Sequence, residues 1–362
     1  MIGRRKLGTL DVSAIGVGCM SMTPIYGVPD PDEAIATLHR APDLGIDFID
    51  TSDAYGANGA NEELVGRGLK GRREKYILAT KFGNIRLPDG KPGAKGHPDY
   101  VIEACEKSLK RLGTDTIDLY FIHRVDETVP IEDTVGAMVR LKTQGKIRHL
   151  GLSEAGANTI RRAQKVHPMA ALQTEYSLWT RDVEAEILPL AHELGIGFVA
   201  YSPLGRGFLT GTVAAADALP QNDARRGMPR FQGSNAQQNQ KLVDALKELA
   251  AHERCTPAQL CLAWLLARKP PVVPLAGNSK RKWLEENAKA AELRPSEATL
   301  AALDKTFKPG VTQGRPLCRA DDGAVGLVAS LSGGVVTWRT ARRVRPSYLP
   351  WQSAASPSSD RG

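Results

Sequence analysis

Four side chains in the first half of the chain, Asp50, Tyr55, Lys81 and His123, are of types that together suit proton transfer. An aspartate near a lysine holds the ammonium charged and in place. That ammonium favours the phenolate form of a nearby tyrosine, drawing its pKa down from about 10 toward neutrality. Such a tyrosine is a usable general acid. A histidine beside it can donate a hydrogen bond to a substrate oxygen and orient a carbonyl. Each residue alone also has a plainer account. Asp50 shares its turn with Thr51, Ser52 and Asp53 and suits a helix cap, Lys81 suits a surface position at a strand end, His123 a satisfied buried site and Tyr55 simple packing.

What joins the four is the set of elements that must position them. Eight short apolar runs are expected as strands: Ile15 to Gly18, Asp47 to Asp50, Tyr76 to Lys81, Asp118 to His123, Ile147 to Ser153, Ala171 to Glu175, Gly197 to Ser202 and Val272 to Gly277. Most are too continuously apolar for a sheet wetted on one face, and a stretch of helical character separates each pair, which is the pattern of parallel strands buried on both sides. Eight such units fit an α/β fold of the closed (β/α)8 TIM barrel type, whose chemistry sits at the carboxyl ends of the strands. Asp50 and Tyr55 follow the second run, Lys81 ends the third and His123 ends the fourth. The segment Lys6 to Ser13 reads as a β-hairpin capping the barrel floor. Asp30, Pro31 and Glu33 signal a helix start, with the helix running toward Leu44 and Pro42 either kinking its last turn or stopping it early. Over thirty residues rich in Gly, Pro, Asn and Arg, between Ser202 and a helix expected near Ala236, read as a lid. Residues 1–312 are expected to form the barrel, and 313–362 an Arg/Ser/Pro-rich tail of poor order.

Composition narrows the function classes. The 362 residues are 42% apolar and 24% charged, ordinary for a globular protein, and no apolar run approaches the length of a bilayer span. The opening MIGRRKLG has charge but no apolar stretch behind it, so no secretory signal is read and a cytoplasmic address is expected. Five cysteines without a CxxC pair argue against a disulfide framework and against a zinc site, and no metal is expected. Of the net charge of +8, half falls from Gly314 onward, where seven arginines face three aspartates; the remainder is dispersed among acidic groups. That distribution argues for a mixed surface rather than a nucleic-acid-binding stripe. Oligomeric state is left open.

Seven segments in order, GIDFIDTSDAYG (Gly45 to Gly56), ILATKFG (Ile77 to Gly83), IDLYFIHRVD (Ile117 to Asp126), LGLSEA (Leu150 to Ala155), LQTEYSLW (Leu172 to Trp179), AYSPLGRGFLTG (Ala200 to Gly211) and LEENAKAAE (Leu284 to Glu292), closely resemble the aldo-keto reductase family. The resemblance runs from about Lys6 to Gly310 and points to the microbial and plant branch. It implies the eight-stranded barrel with a long cofactor-covering loop, and a catalytic tetrad of Asp50, Tyr55, Lys81 and His123. It further implies NADPH, or less often NADH, as hydride donor to a small-molecule aldehyde or ketone. Carried over by the resemblance, Ser153, Gln173 and Asp50 lie at the nicotinamide, Tyr201 stacks on its ring, and Ser202, Pro203, Leu204 and Gly207 follow the pyrophosphate. Gly277, Ser279, Lys280, Glu286 and Asn287 fall at the adenosine end, Ser279 standing where many members carry Lys or Arg for the 2'-phosphate. Tyr26 and Trp179, with Tyr55 and His123, are expected to wall the substrate pocket. An alternative within the same resemblance is an NADPH-binding regulatory module like the potassium-channel beta subunits.

Overall fold

The computed structural model describes residues 2–213, 215–315, 330–332 and 335–337. Strands β1 (Arg4–Leu7) and β2 (Leu10–Ser13) form the antiparallel hairpin expected below the barrel. The barrel opens with β3 (Gly16–Gly18), β4 (Phe48–Asp50) and β5 (Ile77–Phe82). After β5 comes a small hairpin, β6 (Asn84–Arg86) with β7 (Pro92–Ala94). The barrel continues through β8 (Ile117–Ile122), β9 (Ile147–Ser153), β10 (Ala171–Glu175), β11 (Gly197–Tyr201) and β12 (Val272–Gly277), which closes on β3. Helices α1 (Pro31–Arg40), α2 (Ala60–Leu69), α3 (Pro98–Leu112), α4 (Ile131–Thr143), α5 (Ala157–Val166) and α6 (Ile187–Glu193) follow the strands in turn. Helices α7 (Gly233–His252) and α8 (Pro257–Leu266) precede β12, and α9 (Arg281–Ala288) and α10 (Glu297–Thr306) follow it.

Strand parity explains how one sequence pattern yields both a dry floor and a polar mouth. Side chains alternate across a strand, so every second residue points into the barrel. Phe48, Ala79, Leu119, Phe121, Ala171, Val199, Val273 and Leu275 meet Leu7 and Val12 of the hairpin in one buried apolar cluster. Two residues further along the same strands come Asp50, Lys81, His123, Gln173, Tyr201 and Gly277, so the parity that buries the apolar floor aims these residues at the axis above it. The interior is tightly filled: a Cβ added at Gly151 would stand 2.4 Å from the Phe121 ring and 3.1 Å from the Ala171 carbonyl oxygen.

Asp30 caps α1, its carboxylate accepting from the amides of Asp32 (2.9 Å) and Glu33 (3.4 Å). The helix stops at Arg40 instead of running toward Leu44. Pro42 has no amide hydrogen to continue the ladder, so it begins a separate 3-10 turn, Pro42–Leu44, closed by Gly45 at φ 79°. Helix α7 begins at Gly233, three residues before the expected start near Ala236. The expected lid is a chain of 3-10 turns, Gly205–Thr210, Ala216–Ala218, Ala224–Gly227 and Pro229–Phe231. Gln313 and Gly314 are bonded to Asn239 and Arg230. Beyond them β13 (Ser330–Ser332) and β14 (Val335–Thr337) pair antiparallel, and the rest of the 313–362 tail, with its expected lack of order, lies outside the described residues. No helix among the described residues is long and apolar enough to cross a membrane.

Gly151→Ala should lower folding stability by about 1–3 kcal/mol through overpacking against Phe121. Urea unfolding would show a lower midpoint with unchanged slope. An unchanged midpoint would contradict the close-packed interior.

Candidate active site

At the carboxyl end of β5 the Lys81 ammonium is fully buried, and all three of its donors are used. They go to the Asp50 carboxylate (Oδ1), the Thr51 carbonyl oxygen at 2.8 Å and the Tyr55 hydroxyl oxygen at 3.0 Å. The second Asp50 oxygen accepts from Gln173 Nε2 at 2.9 Å, which ties β4 to β10 across the barrel. Tyr55 stands in the loop after β4, its amide bonded to the Ser52 carbonyl oxygen at 3.1 Å and its carbonyl oxygen accepting from Asn61 at 3.2 Å. His123, one residue beyond β8, meets the Tyr55 ring edge-on with centroids 5.7 Å apart. The structure thus brings together all four residues singled out from the sequence.

The electrostatics depart from the sequence expectation in one place. Burial pushes the Tyr55 phenol above its ordinary value, and the nearby Lys81 ammonium only partly offsets this, so the tyrosine is not drawn down toward neutrality. Asp50 is likewise raised by burial, against the pull of Lys81 and Gln173. Burial works against the Lys81 ammonium, yet its contacts with Asp50 and Tyr55 outweigh the cost and hold it above the usual lysine value. Burial, with Arg124 and Lys81 nearby, keeps His123 well below the usual histidine range, so its imidazole is neutral. Cys19, fully buried below the same mouth, is pushed up by burial and is no nucleophile.

The positions at which the resemblance places a dinucleotide lie at the carboxyl ends of β9 to β12 and in the segments that follow β11 and β12. Ser153 and Gln173 are register partners on β9 and β10, and Tyr201 ends β11 opposite Glu175 and Leu275. Glu154, in the left-handed region at φ 52°, accepts from the Glu175 amide at 2.9 Å and from the Tyr201 hydroxyl. Beyond Tyr201 come Ser202, Pro203 and Leu204, with Leu204 packed against the core. Ser202, Gly205, Arg206 and Gly207 all have positive φ (51°, 56°, 56° and 91°). The amides of Gly205 and Gly207 close the turn on themselves, donating to the Ser202 and Leu204 carbonyl oxygens at 2.9 and 3.0 Å. Gly205 has no alternative there, since a Cβ would stand 2.5 Å from the Trp179 indole. Gly277 is exposed, and beside it the Ser21 hydroxyl oxygen is buried without a partner. An exposed glycine beside a buried hydroxyl that lacks a partner, at the carboxyl end of the barrel, fits a nicotinamide dinucleotide.

At the adenosine end, Lys280 caps α9 and is exposed, with Ser279 half-buried before it. Arg281 is spent on Glu33 (Nη2 to Oε2, 2.8 Å), and Lys282 lies over the Trp283 ring at 4.7 Å. Glu286 accepts from the Thr256 hydroxyl at 2.8 Å, and the buried Asn287 donates to Asn278 at 2.8 Å. On the substrate side, the Tyr26 hydroxyl accepts from Arg206 at 3.2 Å and its ring lies under the Arg225 guanidinium at 4.8 Å, so the first loop is tied to the lid. Trp179 is only 5% exposed and is packed on Phe208, Phe231 and Arg230, so it anchors the lid.

Three features went unread in the sequence. The buried Glu175–Arg206 pair (3.1 Å) joins the end of β10 to the lid; its one signal was an arginine between two glycines. Asp223 binds Arg225 and pairs with Tyr26. Ser52 touches His123, and strand parity carried two residues past Asp50 would have pointed to it.

Comparison with known proteins agrees with this architecture. The Aldo/keto reductase family model matches residues 14–308. A probable aldo-keto reductase 1 from Glycine max is 46% identical over 315 residues, covering 85% of this chain and 90% of its own. Among solved structures, a glycerol dehydrogenase from Gluconobacter oxydans aligns with a TM-score of 0.77 at 29% identity, covering 86% of this chain and 97% of its own. The holo form of an aldo-keto reductase from Bacillus halodurans aligns with a TM-score of 0.71 at 33% identity, over 86% and 99% of the two chains. With a buried Asp50–Lys81–Tyr55 array at the mouth of an eight-stranded barrel and a family match along nearly all of that barrel, the chain belongs to the aldo/keto reductase family of oxidoreductases.

Proposed function

We propose that this protein reduces small aldehydes and ketones to alcohols with NADPH, Tyr55 being the proton donor. The observation that carries the reading is the Lys81 bond to the Tyr55 hydroxyl oxygen: with Lys81 donating to that oxygen, the phenolic hydrogen is left to point away from Lys81, toward the mouth. The dinucleotide would be held by Ser153 and Gln173 at the carboxamide, Tyr201 under the ring, the Ser202–Gly207 loop at the phosphates and Ser279 with Lys280 at the 2'-phosphate. When bound it supplies the hydride. His123 and Tyr55 flank one point above the barrel axis, where a carbonyl oxygen can accept from both. As negative charge builds on that oxygen, Tyr55 gives up its proton, and the phenolate left behind is stabilised by the Lys81 ammonium already bonded to it. Asp50 keeps Lys81 charged through the cycle. The raised phenol keeps Tyr55 protonated at neutral pH, which is the form a reducing enzyme needs at the start of each turnover. The preference for NADPH over NADH rests on Lys280, whose ammonium is exposed at the helix start where a phosphate would lie, whereas the Arg281 guanidinium is engaged by Glu33.

Tyr55→Phe should cut kcat for a panel of aromatic and aliphatic aldehydes by about 100- to 10,000-fold while leaving NADPH binding, followed by fluorescence quenching, unchanged. Retained turnover would remove Tyr55 from the role of acid. Lys280→Ala should weaken NADPH by about tenfold and leave NADH unchanged, as loss of one charge-assisted phosphate contact would do. Equal weakening of both cofactors would place Lys280 away from the 2'-phosphate.

A further inference from the structure

His123 touches a polar chain that the reaction as described does not use. Its Nδ1 lies 3.0 Å from the Ser52 hydroxyl oxygen, and that oxygen lies 3.3 Å from Asp53 Oδ1. The Ala54 amide donates to the same oxygen from 3.2 Å, and the Lys81 carbonyl, at 3.5 Å, is the most distant neighbour. Ser52 is fully buried and has one hydrogen to give. If that hydrogen goes to His123, Nδ1 is the bare nitrogen and the ring proton is on Nε2. If it goes to Asp53, Ser52 presents a lone pair to Nδ1, which must then carry the ring proton, and Nε2 is bare.

We propose that Asp53 sets the tautomer of His123 through Ser52: with Asp53 protonated, Nε2 is a hydrogen-bond donor, and with Asp53 ionised, Nε2 becomes an acceptor. An ionised carboxylate is the stronger acceptor and takes the serine hydrogen, whereas a protonated one donates to the serine oxygen and releases that hydrogen toward Nδ1. Both arrangements satisfy Ser52 fully, the Ala54 amide filling its remaining lone pair. The protons balance. On ionisation the Asp53 proton passes to Ser52, the Ser52 proton to Nδ1, and the Nε2 proton leaves by way of the pocket, so one proton is lost and the imidazole is neutral before and after.

The surroundings put this change within reach. Burial and the carboxylate of Glu62, on α2, raise Asp53 to about 7, against Arg111 of α3, the Ser52 hydroxyl and Lys81 of β5; Tyr100 of α3 is also close by. Glu62 is itself fixed by Arg111 Nε at 2.7 Å and the Thr80 hydroxyl at 2.5 Å, so its charge is held in place. Around His123 the charged and titratable groups are Arg124, Lys81 and Tyr55, and the first two oppose a second proton on the ring. Sign follows from the raised value: the donor tautomer is present below about 7 and is lost as the pH rises through it.

The test is two-bond proton–nitrogen correlation NMR of histidine-labelled full-length protein from about pH 5.5 to about pH 8.5, a range spanning ordinary histidine and raised carboxyl titration. The His123 signals are assigned by their loss in His123→Gln. The expected result is a bare Nδ1 at the acid end and a bare Nε2 at the alkaline end, with the exchange abolished in Asp53→Asn and in Ser52→Ala. One tautomer throughout in the wild type, or an exchange that persists in Asp53→Asn, would overturn the proposal. Should Asp53→Asn not fold, Ser52→Ala and the wild-type titration decide alone. The catalytic consequence rests on the carbonyl-reducing reading: kcat should fall about tenfold or more above neutrality in the wild type, and this midpoint should vanish in Asp53→Asn. A tautomer exchange without any carbonyl turnover would sink that functional reading and leave the switch, while turnover with a fixed tautomer would do the reverse.

Discussion

A lysine ammonium with no exposed surface is the constraint from which the rest of the mouth follows. Taking it out of water costs several kcal/mol unless every donor finds an acceptor in good geometry, and removing one partner of such a pair typically costs about 3–5 kcal/mol. Lys81 meets the condition with a carboxylate, a carbonyl and a phenol, all contributed by β4 and the loop that follows it. Asp50 in turn needs its second oxygen satisfied, and Gln173 reaches across the barrel to do so. The position of Tyr55 is therefore fixed by the needs of a charge it helps to bury. Three strands and one loop are locked by a single solvation requirement.

The barrel makes that arrangement reachable because its parity carries two patterns at once. Along β4, β5 and β8 the inward residues are apolar near the floor and polar at the carboxyl end, so the hairpin-sealed cluster beneath keeps water from the pair above. Glycine at position 151 leaves room for the Phe121 ring in the buried cluster beneath the polar layer. A low-dielectric floor strengthens every hydrogen bond in the layer above it and raises the cost of any left unmade. Stability of the floor and geometry of the mouth are in this sense one property.

Much of this was legible in the residues. The runs Ile147–Ser153, Ala171–Glu175 and Val272–Gly277 coincide with β9, β10 and β12, since a continuous apolar run bounded by turns has little choice in a doubly covered sheet. The tetrad was readable because strand ends are readable. The direction of the Tyr55 shift was not: spacing shows that Lys81 is near but not how much water the fold excludes, and here burial outweighs the ammonium. Partnerships distant in sequence were equally silent. Glu175 with Arg206 and Tyr26 with Arg225 depend on loop paths that no local periodicity records. Trp179 illustrates the same limit, since an aromatic in a loop after a barrel strand is ambiguous until the lid is seen to fold over it.

The same burial decides the charge state the mouth presents. Asp50 and Lys81 cancel, Tyr55 is kept a neutral phenol and His123 a neutral imidazole, so the layer as a whole carries no net charge. A neutral carbonyl can enter such a site without displacing an ion or stranding one. Under the proposed reaction the balance is disturbed only when negative charge appears on the substrate oxygen, and at that moment the Lys81 ammonium lies one hydrogen bond behind the proton donor. An exposed lysine would have been screened by water, and a lysine in direct contact with the substrate would have bound the ground state as well as the transition state. Set behind Tyr55, it acts mainly on charge that has yet to form, so the cost of burying it is returned in the transition state rather than in substrate affinity.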